Sequence, residues 1–175
     1  WRPRAGKDEA FALFPSNESA RVLGRYLKAD GQTAEAASVL VETPTGGRIA
    51  VFGYAGFGGE LSDARRRQLM LAADWVAQNR LPVMVESPAQ VVVVPRVTLA
   101  GDLRSVVVLN ASIDVQPPVT LRLRGLREGL ARVEWLVPKE KPVAVALRWE
   151  GKDALAVLPA IGPWRIGWLR ASDLE

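Results

Sequence analysis

The 175-residue chain contains no cysteine and no histidine. Without cysteine it has no disulfide framework, thiolate nucleophile or thiolate metal site, and cysteine usage says nothing of its redox compartment. Without histidine, a Ser-His-Asp triad, a Cys-His pair and the histidine-containing zinc sites are all excluded within this chain. No metal site and no cofactor are therefore expected. Apolar runs long enough to span a bilayer are lacking as well, so no membrane span is expected. The chain opens at Trp1 rather than Met and shows no signal peptide, as a processed product or a piece of a longer protein would. Concentrated charge of one sign is also missing. The formal net charge is +4, with a small basic excess in each half, and the tight cluster Arg65-Arg66-Arg67 lies in a helical stretch that spreads it around the axis. Polyanion binding needs a clustered positive face, so no nucleic-acid partner is expected.

What is present is an ordinary globular composition, 49% hydrophobic and 24% charged, able to bury a core. The pattern predicts an α+β chain. A small α/β hairpin-helix part spans residues 1–82 and an antiparallel β-sandwich spans residues 83–175. Trp1 to Pro15 read as an irregular lead-in. Val22, Leu23, Tyr26 and Leu27 fit one side of a short packing helix from Ser19 to Lys28, ended by Asp30-Gly31. Ser38–Glu42, the turn Thr43-Pro44-Thr45-Gly46-Gly47 and Arg48–Tyr54 predict a hairpin whose second strand is buried on both faces. A helix follows, capped near Ser62, with Asp63 at the positive end of its dipole and Leu69, Ala72, Ala73 and Val76 on its apolar face beside Trp75. Leu81-Pro82 stops it.

Beyond Pro82 no helical period returns. Strands are predicted at Val83–Glu86, Gln90–Val97, Arg104–Asn110, Val119–Arg124, Ala131–Val137, Val143–Trp149, Ala154–Leu158 and Trp164–Leu169. Their spacing of roughly 10 to 12 residues is that of a sandwich or barrel. In Val119–Arg124 apolar and polar side chains alternate, and Val143, Val145, Leu147 and Trp149 repeat the pattern, so one face is core and the other wet.

Three features bear on chemistry. Gly53 to Gly59 follows a strand and precedes a helix, as phosphate loops do, but it matches neither nucleotide fingerprint and carries Tyr54 and Phe57, so an aromatic-packed connection is the simpler reading. Two carboxylates across a cleft would suffice for a self-standing glycosidase, yet Asp102, Asp114, Glu128 and Asp153 fall at turns or on wet faces, where solvation explains them. Of the tryptophans, Trp135 and Trp149 alternate in phase with core residues. Trp164 and Trp168 share a face with Ile166 and flank Gly167, and if any indole stands exposed it is this pair. A flat indole complements the C–H face of a pyranose, so these two residues are the candidate ligand-binding pair.

These residues carry a family resemblance. Ala37 to Tyr54, with Arg65 to Trp75 (Arg-Arg-Arg-Gln-Leu-Met-Leu-Ala-Ala-Asp-Trp), resembles the end of a glutamine-amidotransferase-like or trimerisation domain of β-galactosidase-like glycoside hydrolases. Val94-Pro95-Arg96-Val97, Val107 to Ser112 and Leu158 to Trp164 resemble the small C-terminal β-sandwich that follows it in such enzymes. The resemblance implies that the catalytic barrel and its carboxylates belong to an upstream part of the parent protein. This chain would then be a non-catalytic accessory region with a structural, domain-packing or oligomerisation role, or a carbohydrate-binding module. Its partners would be the parent's catalytic domain, other subunits or carbohydrate, in a periplasmic or secreted setting.

Overall fold

In the computed structural model, residues 11–16, 19–54, 63–126 and 132–172 are described. They form a predominantly antiparallel β structure with one helix, in two compact units, Trp1–Arg80 and Leu81–Glu175.

The first unit holds β1 (Ala20–Leu27), β2 (Thr33–Glu42), β3 (Arg48–Phe52) and α1 (Asp63–Val76). The strands form an antiparallel sheet in the order β1-β2-β3. The Thr43–Gly47 turn closes the expected hairpin: Thr43 N donates to Gly47 O at 2.7 Å, Gly47 N donates to Thr43 Oγ1 at 2.8 Å, and Gly46 supplies a φ of 82°. Two expectations are corrected here. The segment expected as a packing helix from Ser19 to Lys28 is the strand β1. Val22 and Tyr26 are half-buried while Leu23 and Leu27 point to water, a period of two that four apolar residues in two adjacent pairs also fit. The strand buried on both faces is β2, where Ala36 to Leu40 are all buried. In β3, Ile49 and Val51 are exposed. β3 is an edge strand, and its apolar run lacks cover on one side.

α1 packs against β3. The cap expected at Ser62 lies outside the described residues, as do Ala55 to Gly59 of the glycine loop. The inward side of the helix is more polar than its apolar spacing suggests. Ala72 and Asp74 are buried, whereas Ala73 and Val76 are exposed. Arg48 ties sheet to helix: its guanidinium lies 5.0 Å from the centre of the Trp75 ring and donates from Nη1 to Trp75 O at 3.1 Å. A cation on a last-turn carbonyl also suits the helix dipole. Thus Arg48 of the hairpin and Trp75 of the helix meet in space.

The second unit holds β4 (Val83–Val85), β5 (Val92–Val97), β6 (Leu103–Leu109), β7 (Val119–Leu123), β8 (Arg132–Leu136), β9 (Val143–Ala144), β10 (Leu147–Glu150), β11 (Asp153–Leu158) and β12 (Ile166–Ser172). They make a four-stranded sheet, β10-β11-β7-β4, and a five-stranded sheet, β5-β6-β12-β8-β9. Both sheets feed one core. Val119, Leu121, Leu123 and Leu158 come from the first, and Val106, Val108, Trp135 and Leu169 from the second. The single strand expected at Val143–Trp149 is two. β9 pairs with β8 and β10 with β11, so the chain changes sheets between Ala144 and Leu147. Trp149, expected in the core, keeps the inward phase opposite Ala154, but it stands on the edge strand β10 and is 36% exposed.

Trp135 is 3% exposed, and its indole occupies the space where Gly167 would carry a side chain. A Cβ on Gly167 would lie 2.4 Å from the Trp135 ring and 2.9 Å from Leu136 O. Gly167→Ala is therefore expected to destabilise the fold by about 2 kcal/mol or more. Gly162→Ala, where the nearest atom would be 3.5 Å away, should stay within about 1 kcal/mol of wild type. Urea unfolding of the two variants beside wild type checks the contrast.

Candidate functional site

A cleft of about 490 Å³ opens at one end of the second unit. Its deep wall is apolar, with Trp135 and Ile161 buried and Val137 and Val143 higher up. Its mouth carries Glu140, Lys141 and Arg165, all exposed.

Two turns of the same design frame that mouth. In Val137-Pro138-Lys139-Glu140, Glu140 N donates to Val137 O at 3.1 Å and Lys139 has φ 65°. In Gly162-Pro163-Trp164-Arg165, Arg165 N donates to Gly162 O at 3.3 Å and Trp164 has φ 53°. Proline at the second position and positive φ at the third define a type II turn, which ordinarily takes glycine at the third. Each turn ends in a charged residue, and the two meet: Arg165 Nη1 donates to Glu140 Oε1. The ion pair closes a bridge from one turn to the other.

The second turn rests on a buried polar knot. Asn110 is completely buried, and the two hydrogens of its Nδ2 are shared among three acceptors, Asp114 O, Ile161 O and Gly162 O, at 2.7, 2.9 and 2.9 Å. Its Oδ1 accepts from Ser112 N at 3.0 Å and Ser112 Oγ at 2.8 Å. Gln116 extends the knot, pairing by backbone with Ile161 and accepting from Gln90 N at 2.7 Å. Buried amides earn their place only when so satisfied.

The structure places Trp164 at the third position of its turn, 67% exposed, and Trp168 on the outer face of β12, 37% exposed. Ile166 lies beside Trp168 on that face. Trp164 is held between Pro163 and Arg165, which line the cleft. Glu140, Lys141 and Arg165 are not singled out by the sequence reading. The signal that could have found Glu140 and Arg165 is the repeated Pro-Xaa-charged triplet, Pro138-Lys139-Glu140 and Pro163-Trp164-Arg165.

The carboxylates of the other sheet are engaged by arginine. Arg122 donates to Glu86, to Glu150 at 2.9 Å and to Asp153 at 3.4 Å, and Arg124 Nε lies 3.1 Å from Asp153. The bonds to Glu86 and then Glu150 push the Arg122 guanidinium further up, and the bond from Arg122 holds the Glu150 carboxyl below its ordinary range. Asp102 and Asp114 sit in turns, and Glu128 lies outside the described residues. Among the described residues no group of three acidic side chains stands close enough to hold a metal ion, and no helix is long and apolar enough to cross a membrane. Set against known protein families, characterised proteins and solved structures, the chain matches none.

Two outcomes follow from this geometry. Because the folded state lowers the Glu150 pKa, its contribution to stability is present above the ordinary carboxylate range and is lost as pH falls through the lowered value. Urea midpoints of wild type and Glu150→Gln should differ at neutral pH and converge in acid; a gap that persists in acid would contradict this. Trp164→Gly exchanges a positive-φ penalty for chain entropy, so its stability should lie within about 1 kcal/mol of wild type in the same assay.

Proposed function

We propose that this chain is a non-catalytic accessory region of a glycoside-hydrolase-like protein. In this reading it is an α+β chain whose second unit is a β-sandwich, and it acts by packing against a catalytic domain or another subunit. The observation that supports the packing role is the outer face of the five-stranded sheet. Val92, Val94, Val107, Leu109, Ile166 and Trp168 lie side by side across β5, β6 and β12, with Val94 in register with Val107 and Val107 with Trp168. Val94 is 53% exposed, and Val92 and Ile166 are similarly open. A contiguous apolar face of this kind marks interaction surface rather than solvated sheet. The carboxylates of Glu86, Glu150 and Asp153 fit the same role, since their oxygens are engaged by Arg122 and Arg124.

A second reading, a carbohydrate-binding β-sandwich module, is favoured by Trp164. A bulky residue at φ 53° carries a backbone cost, and such costs cluster where function requires the side chain.

The purified chain is expected to turn over no member of an aryl-glycoside panel. Turnover abolished by one Asp or Glu substitution would instead make it a self-standing glycosidase. An apolar fluorescent dye should bind the wild type and lose most of its signal with Val94→Lys/Trp168→Lys. Unchanged dye binding would remove the outer face from the account.

A further inference from the structure

Resting on the carbohydrate-binding reading, we infer that the cleft between the two proline turns is a subsite for an acidic sugar, a hexuronate residue within an oligosaccharide whose neighbouring ring stacks on Trp164. The cleft volume of about 490 Å³ lies within the range of small-ligand pockets, about 300–1,000 Å³. Above the buried Trp135 and Ile161, Val137 and Val143 offer an apolar surface to the C–H side of a ring. Its polar groups gather at the mouth, where the hydroxyl and carboxylate edge of that ring would stand.

The charge at the mouth selects the sugar. Glu140 and Arg165 offset each other across the turn bridge, with the carboxylate still able to accept hydroxyl protons. Lys141 is exposed and has no carboxylate partner among the described residues. The lining therefore holds one uncompensated cation, the complement of a single carboxylate. A neutral hexose would leave it with water alone.

Preorganisation points the same way. The Asn110 knot fixes the 159–165 segment from beneath, and the Glu140–Arg165 bridge fixes the 137–141 turn from above. A cleft set before its ligand arrives loses little entropy on binding. Trp164, in a conformation that glycine would adopt more readily, is held at the edge of this rigid frame.

The test is isothermal titration of the full chain with oligogalacturonate, oligomannuronate and neutral cello- and galacto-oligosaccharides, beside Lys141→Gln and Trp164→Gly. Uronate oligomers should bind at least about tenfold more tightly than neutral ones of equal length, the scale of one charge-assisted contact. Lys141→Gln should erase that preference, and added salt should weaken uronate binding. Trp164→Gly should weaken binding of every oligosaccharide while its unfolding midpoint stays near wild type. Equal binding of neutral and acidic oligomers, or a preference that survives Lys141→Gln, would overturn the acidic subsite and leave the carbohydrate reading intact. No binding to any glycan would overturn both.

Discussion

The second unit depends on one buried amide. Asn110 follows β6 and spends its hydrogen-bonding capacity on two loops, 110–116 and 159–165, that lie outside the named strands and pair with each other through the single Gln116–Ile161 bridge. A net hydrogen bond is worth about 1 kcal/mol, but a carbonyl left buried and unpaired costs about 1–3 kcal/mol, so removing this side chain would strand several groups at once. Apolar packing between the sheets could tolerate many exchanges of similar volume. The knot tolerates few, because donor and acceptor must both be present at fixed positions.

From that anchor the rest of the site follows outward. Fixing Ile161 and Gly162 fixes the start of the second proline turn. The turn presents Trp164 and delivers Arg165, and Arg165 reaches Glu140 on the first turn. Behind them Trp135 fills the space left by Gly167, so the deep wall of the cleft belongs to the core. Site and core are thus a single packing problem, and a change at Gly167 or Asn110 would be felt at both.

Much of the strand pattern past Pro82 was legible in the sequence, because alternation in stretches such as Val119–Arg124 reports directly on one wet and one dry face. Where burial depends on position within a sheet, local pattern fails. Trp149 has a core phase yet stands on an edge strand, and the apolar run of β3 is open on one side because β3 is also an edge. In β1, Val22-Leu23 and Tyr26-Leu27 satisfy both the helical and the strand period, and only pairing with β2 decides between them. The exposure of Trp164 follows from its place in the proline turn and that of Trp168 from the outer face of β12, neither of which the local pattern fixes. The charged mouth was not legible either, since Glu140 and Arg165 are brought together by two turns far apart in the chain. The same holds in the first unit for Arg48 and Trp75, where the cation–π contact joins hairpin and helix.

If the Asn110 amide, more than the sheets, holds the candidate cleft in shape, its loss should loosen the loops before the strands. Hydrogen–deuterium exchange on Asn110→Ala tests this most directly. Amides in 110–116 and 159–165 should lose protection while those of β7 and β11 keep theirs. Loops as protected as in wild type, or a loss spread evenly over both sheets, would contradict it.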